Sequence, residues 1–507
     1  MSSMRILVRT DASVATGTGH LRRCLTLAAA LRDGGATVSF ACAAPAPEVR
    51  QMVLDRSFPL ATVAQLPIDN DGVTAELAPG AQEVDASATL AIAEPQGFDW
   101  VVVDHYGLAA PWERRMRAGG RRIMAIDDLA DRPHDCDLLL DQNLRAEGET
   151  AYASLVPPGC DRLLGPHYAL IDPAFASARA ALRPSLRDGI LISFGGSDPR
   201  SLTVRVLRAL LATAPVDLRI DVVAGALQRS AAELAEIAGG ASNVRFHHAT
   251  REMPRLMAGA SLFLGAGGTT SWERCCMALP GVVVSVAPNQ EPLCRALAEA
   301  GGHVYLGSAT DVEPDAMAKA ALQLLGSPDR LAQLAERSAA LVDGHGARRV
   351  AARILSGEVR LRAATPEDAD RILEWRNHPE VRRHAGNSQA IEQATHARWF
   401  ASVLADPDRH LLVAEDSQGA CGVLRFDVSS RTAKISIYAV PERIGRGIGA
   451  ALLSAGERWL AARRPEVTTL CAEVHAANVA SIRIFAAAGY RARESTYVKI
   501  IPGREAA

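Results

Sequence analysis

Three stretches pair glycines with side chains able to move a proton or hold an anion. The first is Gly17-Thr18-Gly19-His20, on the loop between an apolar run, Arg5-Ile6-Leu7-Val8-Arg9, and a helical pattern that begins at Leu21. Strand, glycine loop and helix in that order turn backbone N–H groups and a helix N-terminus toward an anionic ligand. His20 stands at the mouth of that loop. Histidine titrates nearest neutrality and can take a proton from water there; its other use is as a helix cap. The second stretch is Gly265-Ala266-Gly267-Gly268-Thr269-Thr270-Ser271-Trp272-Glu273. Its glycines admit a diphosphate close to the backbone, and the hydroxyls of Thr269 and Thr270 add donors. Glu273 offers an acceptor for a ribose diol, or is simply an acid favoured by the helix dipole. The third, Gly445-Arg446-Gly447-Ile448-Gly449, repeats the device between a strand pattern and a helix pattern.

Short apolar runs alternate with helical patterns through the first half of the chain. Runs at Thr37 to Cys42, Trp100 to Asp104 and Arg122 to Asp127 read as buried strands, the last two ending in carboxylates. Strand–helix alternation predicts a parallel sheet covered on both faces, with ligands outside the carboxyl ends of its strands. His20, Asp104-His105-Tyr106 and Asp127-Asp128 all fall at such ends, so one cleft is expected to hold them. An aspartate there can equally cap the next helix. After a looser stretch near Arg183 to Gly189 a second series starts. Its strands are expected at Gly189 to Phe194, Leu218 to Val223, Val244 to Phe246, Leu262 to Leu264 and Val282 to Val286, and Asn289-Gln290 follow the last. Two α/β halves facing a cleft predict the GT-B type of architecture.

Ala- and Arg-rich helical sequence runs from Leu331 to Leu355, and a new strand begins after Ser356-Gly357. Thr365-Pro366-Glu367-Asp368 is a helix start with cap, first-turn proline and acids. The expected domains are therefore residues 4–180, 189–350 and 358–503, all α/β.

The chain has 507 residues, 48% hydrophobic and 22% charged, with a net charge of -2. That balance gives no electrostatic case for nucleic acid or an anionic membrane as partner. The nine cysteines include no Cys-x-x-Cys pair, so neither a disulfide framework nor a metal site is expected. No apolar run approaches the ~20 residues needed to span a bilayer, and a cytoplasmic location is expected.

The dispersed set Gly17-x-Gly19-His20-x-x-Arg23-Cys24, Asp104-His105-Tyr106, Ile126-Asp127-Asp128, Asp141-x-Asn143-Leu144 and Leu164-Gly165-Pro166-x-Tyr168 resembles the UDP-sugar hydrolases of pseudaminic acid biosynthesis, relatives of GT-B glycosyltransferases. Ser193-Phe194-Gly195-Gly196-Ser197-Asp198, Gly267-Gly268-Thr269-x-x-Trp272-Glu273 and Asn289-Gln290 extend the resemblance, which covers roughly residues 4 to 350. It implies release of UDP from an anomeric carbon with water as acceptor and His20 as general base. Gly17, Gly19, Arg23, Asp104, Tyr106, Asn143, Gly195, Gly267, Gly268, Thr269, Glu273, Asn289 and Gln290 are the substrate-binding positions it implies. Asp104, Tyr106 and Asn143 are expected to orient the sugar.

Downstream, the strand Lys434 to Val440, the third glycine loop, the strand Thr469 to Val474 and Asn478-x-x-Ser481-x-x-x-Phe485-x-x-x-Gly489-Tyr490 resemble the GNAT N-acetyltransferases. Acetyl-CoA is the implied co-substrate, held by Arg443, Gly445, Arg446, Gly447, Gly449 and Asn478; for Asn478 a helix cap is the competing use. Ile444 stands where that family usually has Gln or Arg, and Phe485 where it often has a tyrosine acid. Tyr438, Tyr490, Tyr497 or water are then left to protonate the thiolate. Trp375-Arg376-Asn377 and His396-x-x-Trp399-Phe400 lie where the acceptor usually enters, and core packing is expected of Trp399-Phe400.

Together the resemblances imply consecutive steps on one UDP-sugar: acetylation of a 4-amino group, then loss of UDP. The alternatives are a GT-B glycosyltransferase fused to an acetyltransferase, an acetyltransferase acting on protein amines, and a sugar-nucleotide sensor.

Overall fold

The computed structural model describes residues 3–13, 17–63, 76–196, 198, 200–355, 359–383, 389–416, 419–444, 448–475, 478–488 and 490. Gly445, Arg446, Gly447, Gly489 and Tyr497, singled out above, lie outside the described residues, as does Ser197. The chain divides into two compact units, Met1–Ala351 and Ala352–Ala507.

The first unit is built on two parallel sheets. One contains β1 (Arg5–Thr10), β2 (Thr37–Ala43), β3 (Leu60–Val63), β4 (Trp100–Asp104), β5 (Arg122–Ile126), β6 (Leu138–Asp141) and β7 (Asp161–Leu164), in the order β3-β2-β1-β4-β5-β6-β7. The strand order reverses between β1 and β4, where Thr10 pairs with Asp104. A crevice opens outside the carboxyl ends at such a switch point. The Val, Ile and Leu runs of β1, β4 and β6 are buried because helices cover both faces.

The other sheet contains β8 (Ile190–Ser193), β9 (Ile220–Ala224), β10 (Val244–His248), β11 (Leu262–Ala266), β12 (Gly281–Ser285) and β13 (Val304–Ser308), in the order β10-β9-β8-β11-β12-β13. Its switch point lies between β8 and β11. Trp112 and Trp272, each fully buried, anchor one core in each half, and burial of such side chains contributes roughly 1.5–3 kcal/mol apiece.

The second unit has one mixed sheet, β14 (Arg360–Ala363), β15 (Arg409–Asp416), β16 (Gly419–Ser429), β17 (Thr432–Ala439) and β18 (Thr469–Ala472), in sequential order. Its pairs are antiparallel except β17 with β18, which is parallel. The helix start read at Thr365 forms a capping box, with Thr365 N donating to Asp368 Oδ2 at 2.8 Å.

Several boundaries differ from the sequence reading. The first helix is Gly19–Asp33, so His20 occupies its first turn and not the loop before it. The helical stretch near the unit boundary is two helices, Pro328–Leu341 and Gly346–Leu355, because Val342 to His345 leave helical geometry. β18 ends at Ala472, two residues early. Among the described residues no helix is long and apolar enough to cross a membrane, and no group of His, Cys, Asp and Glu is arranged to hold a metal ion.

Candidate active site

Beneath the cleft of the first unit lies a buried carboxylate that organises its neighbours. Asp104 ends β4 and is 1% exposed, while His20 comes from the first turn of helix Gly19–Asp33. His20 Nδ1 lies 2.6 Å from Asp104 Oδ1. Arg23, one turn further along the helix, donates to Asp104 Oδ2 through Nε and to Oδ1 through Nη2, each at 2.7 Å. Cys24 Sγ also donates to Asp104 Oδ2. Burial works to raise the Asp104 pKa, but the Arg23 charge, His20 and their hydrogen bonds outweigh it and hold the carboxyl well below the usual range. An ionised carboxylate only accepts, so the hydrogen between His20 and Asp104 belongs to Nδ1. The His20 side chain retains 13% exposure.

Arg23 has a second partner, Asp128, whose Oδ2 accepts from Nη1 at 3.0 Å. The sequence places Asp128 at a strand end, in the same cleft or as a helix cap; nothing in its local sequence announces a partner 105 positions away. Tyr106 packs edge-on against the His20 ring, with centroids 4.6 Å apart and planes at 89°. Burial and the neighbouring Asp128 carboxylate push its hydroxyl pKa up, so it stays protonated.

The two halves of this unit meet at this site. Asn289, in the turn after β12, donates through Nδ2 to the Tyr106 hydroxyl at 2.8 Å. A Cβ at Gly19 would lie 3.3 Å from Thr269 Oγ1, and one at Gly196 would lie 2.6 Å from Thr18 Oγ1. The glycine loops of the two halves therefore face each other at close range, and Gly195, with φ +96°, turns the chain out of β8 toward them. Gln290 braces its own turn, accepting from Val286 N at 3.0 Å, and sits against Gly268. Glu273, in helix Thr270–Cys276, is pushed up to about 7 by burial and by Asp172, against the opposing pull of Arg22.

Asn143 follows β6, two strands from β4, with its backbone N–H bound to Asp141 Oδ1 at 2.8 Å. Gly17, with φ +72°, closes a one-residue bridge to Ser13. Tyr152, which no motif picked out, places its hydroxyl 2.8 Å from Asp127 and 3.0 Å from Asp141. One hydroxyl proton cannot serve two carboxylates, and burial pushes Asp141 up to about 6, where it can carry a proton of its own.

In the second unit β18 pairs β17 only from Thr432 to Ile435. Beyond Ile435 that edge of β17 has no strand partner among the described residues. Tyr438 stands on this segment near Arg376, and burial pushes its pKa up. Trp375 and Phe400 are core residues, with Trp399 packed against them. Phe485 is 8% exposed and stacks edge-on with Tyr490, their centroids 5.0 Å apart. Gly449 lies in the first turn of helix Ile448–Arg463. Arg443 donates to Asp416 at 2.7 Å, and Asn478 Oδ1 accepts from Ser481 N at 3.0 Å, capping the next helix.

Two parallel doubly wound sheets with facing loops define a GT-B-like pair of Rossmann-type halves, followed by an acetyltransferase-type mixed sheet. Residues 358–491 match the family model for the acetyltransferase (GNAT) domain, and a GNAT domain implies acetyl-CoA as co-substrate. The N-terminal part resembles the UDP-2,4-diacetamido-2,4,6-trideoxy-beta-L-altropyranose hydrolase of Campylobacter jejuni, 25% identical over 302 residues, which are 59% of this chain and 98% of that protein. It also resembles the spore coat polysaccharide biosynthesis protein SpsG of Bacillus subtilis, 28% identical over 191 residues, 37% of this chain and 56% of the relative. A crystal structure of Acinetobacter baumannii MurG aligns over 69% of this chain and 99% of its own, at 16% identity and a TM-score of 0.49. The chain thus joins a part similar to these two relatives to a GNAT domain.

Proposed function

We propose that the first unit hydrolyses UDP-2,4-diacetamido-2,4,6-trideoxy-β-L-altropyranose to free sugar and UDP, and that the second transfers acetyl from acetyl-CoA to the 4-amino group of its UDP-amino-dideoxy precursor, both in pseudaminic acid biosynthesis. The observation that carries the hydrolytic reading is the 2.6 Å contact between His20 and Asp104. With Nδ1 taken by Asp104, Nε2 is the base in this reading. Water gives its proton to Nε2 as its oxygen bonds to the anomeric carbon, and the bond from that carbon to the UDP oxygen breaks. Asp104 offsets the imidazolium charge that results. UDP leaves far more readily than an alcohol, so the acid of a glycosidase carboxylate pair is dispensable. The developing diphosphate charge falls to the Gly267-Gly268-Thr269 loop, whose backbone N–H groups need no reorganisation to meet it. Glu273 holds the ribose diol.

In this reading Asp104 and Arg23 position His20 and do not touch the sugar, because both oxygens of Asp104 are already engaged. In the second unit the open edge of β17 takes the pantetheine arm, and the loop of Gly445, Arg446, Gly447 and Gly449 takes the CoA pyrophosphate.

Hydrolysis in water enriched in oxygen-18 tests the first reaction. Label in the free sugar and none in UDP is expected; label in UDP would place the cleavage at phosphorus and contradict it. Acetyl transfer from acetyl-CoA to the amino sugar, but not to peptide amines, is expected of the second unit, and the reverse preference would overturn that part.

A further inference from the structure

Tyr106 and Asn289 are 183 positions apart and sit on opposite halves of the first unit, yet their side chains are hydrogen-bonded at 2.8 Å. The resemblance implies that both bind substrate, whereas in the structure each binds the other. Tyr106 is 8% exposed and has its ring against His20. His20 is thus held from two directions. Asp104 fixes Nδ1 from within its own half. Tyr106 borders the ring edge-on, and its hydroxyl is tied to the other half.

The contact also continues back to the nucleotide loop. Asn289 and Gln290 share the turn Pro288–Gln290, and Gln290 ties that turn to Val286 while lying against Gly268. In the proposed reaction the diphosphate lies on the Gly267-Gly268 backbone, and the turn that carries Asn289 borders that backbone through Gln290. From this chain of contacts we propose that Asn289 is a positioning residue that acts through Tyr106, setting the His20 ring in its working orientation when the two halves are closed around UDP. The inference rests on His20 being the base.

Two measurements on the full chain test this. In hydrogen–deuterium exchange with UDP as the probe, Asn289→Ala is expected to speed exchange across residues 105–109, and Tyr106→Phe across 286–290, each severalfold in the UDP-saturated protein. If each variant alters only its own segment, the two are uncoupled and the proposal fails. The second measurement is a double-mutant cycle on UDP release. Each single variant is expected to lower kcat about tenfold, the scale of one hydrogen bond, with KM within about threefold. The double variant is expected to be no slower than the worse single variant. A multiplicative loss of about a hundredfold, or losses in KM alone, would show two independent sugar contacts and overturn it. Asn289→Asp, which keeps the size but not the donor, is expected to behave as Asn289→Ala. Should the wild type release no UDP from this sugar, the reaction proposed above fails, while the exchange measurement still decides the coupling.

Discussion

His20 Nδ1 and Asp104 Oδ1 lie 2.6 Å apart, and Arg23 grips the same carboxylate with two nitrogens. The carboxylate is therefore both the orienting partner of the base and the counter-charge of a buried guanidinium. Asp104→Asn is expected to lower UDP release on the order of a hundredfold or more, since the imidazole loses its fixed tautomer. It also leaves Arg23 short of a counter-charge, at a cost of about 3–5 kcal/mol. Asp104 titrates lower in the folded chain than in the unfolded one, so the unfolded chain binds more protons near pH 4. Its stabilisation is present above that range and is lost as pH falls. Urea unfolding at pH 7 and at about pH 2.5 checks this: the gap between wild type and variant narrows at the lower pH.

Glu273 has the opposite sign. Its carboxyl is pushed up to about 7, so between its ordinary value near 4.5 and 7 the folded chain holds more protons than the unfolded chain. Its contribution therefore falls as pH rises through that window. Glu273→Gln is expected to gain stability relative to wild type from pH 5 to pH 8, by on the order of 2 kcal/mol, with little difference at pH 4. Melting curves across that range would show a pH-independent gap if the carboxyl were ordinary.

Gly196 faces Thr18 across the cleft, and a Cβ there would lie 2.6 Å from Thr18 Oγ1. Gly196→Ala is expected to destabilise the protein by about 1–3 kcal/mol and to weaken UDP binding. Thr18→Ala in the same chain removes the obstructing oxygen and is expected to restore most of both. Calorimetric titration with UDP measures the binding; no rescue by the second change would mean that the halves do not meet there.

Asn478 caps its helix through Oδ1, so under the proposed function only its amide nitrogen remains for acetyl-CoA. Asn478→Asp keeps the capping oxygen and removes the donor. It is expected to leave the melting temperature nearly unchanged and to raise KM for acetyl-CoA severalfold, whereas Asn478→Ala also loses about 1 kcal/mol of stability. An unchanged KM in the aspartate variant would reduce Asn478 to a cap.

The parallel sheets were legible because buried strands such as Trp100 to Asp104 read as unbroken apolar runs closed by a carboxylate. Strand-end placement alone puts His20, Asp104 and Tyr106 in one cleft. What stayed hidden was pairing at long range. A motif can flag Asp104, but not that its oxygens are consumed by Arg23 and His20, nor that Asn289 reaches Tyr106 from the other half. Tyr152 carries no local signal at all, since its partners Asp127 and Asp141 come from two different strand ends. The short strands β3, β7 and β13 went unread for a related reason: four- or five-residue runs at or near sheet edges show too little periodicity to separate from loop.

The most direct measurement is UDP release from UDP-2,4-diacetamido-2,4,6-trideoxy-β-L-altropyranose with no acceptor sugar present, for the wild type and His20→Ala side by side. Release by the wild type that falls at least a hundredfold in the variant, with UDP affinity retained, is the predicted result. Undiminished release by His20→Ala, or release by the wild type only when an acceptor sugar is added, would contradict the account.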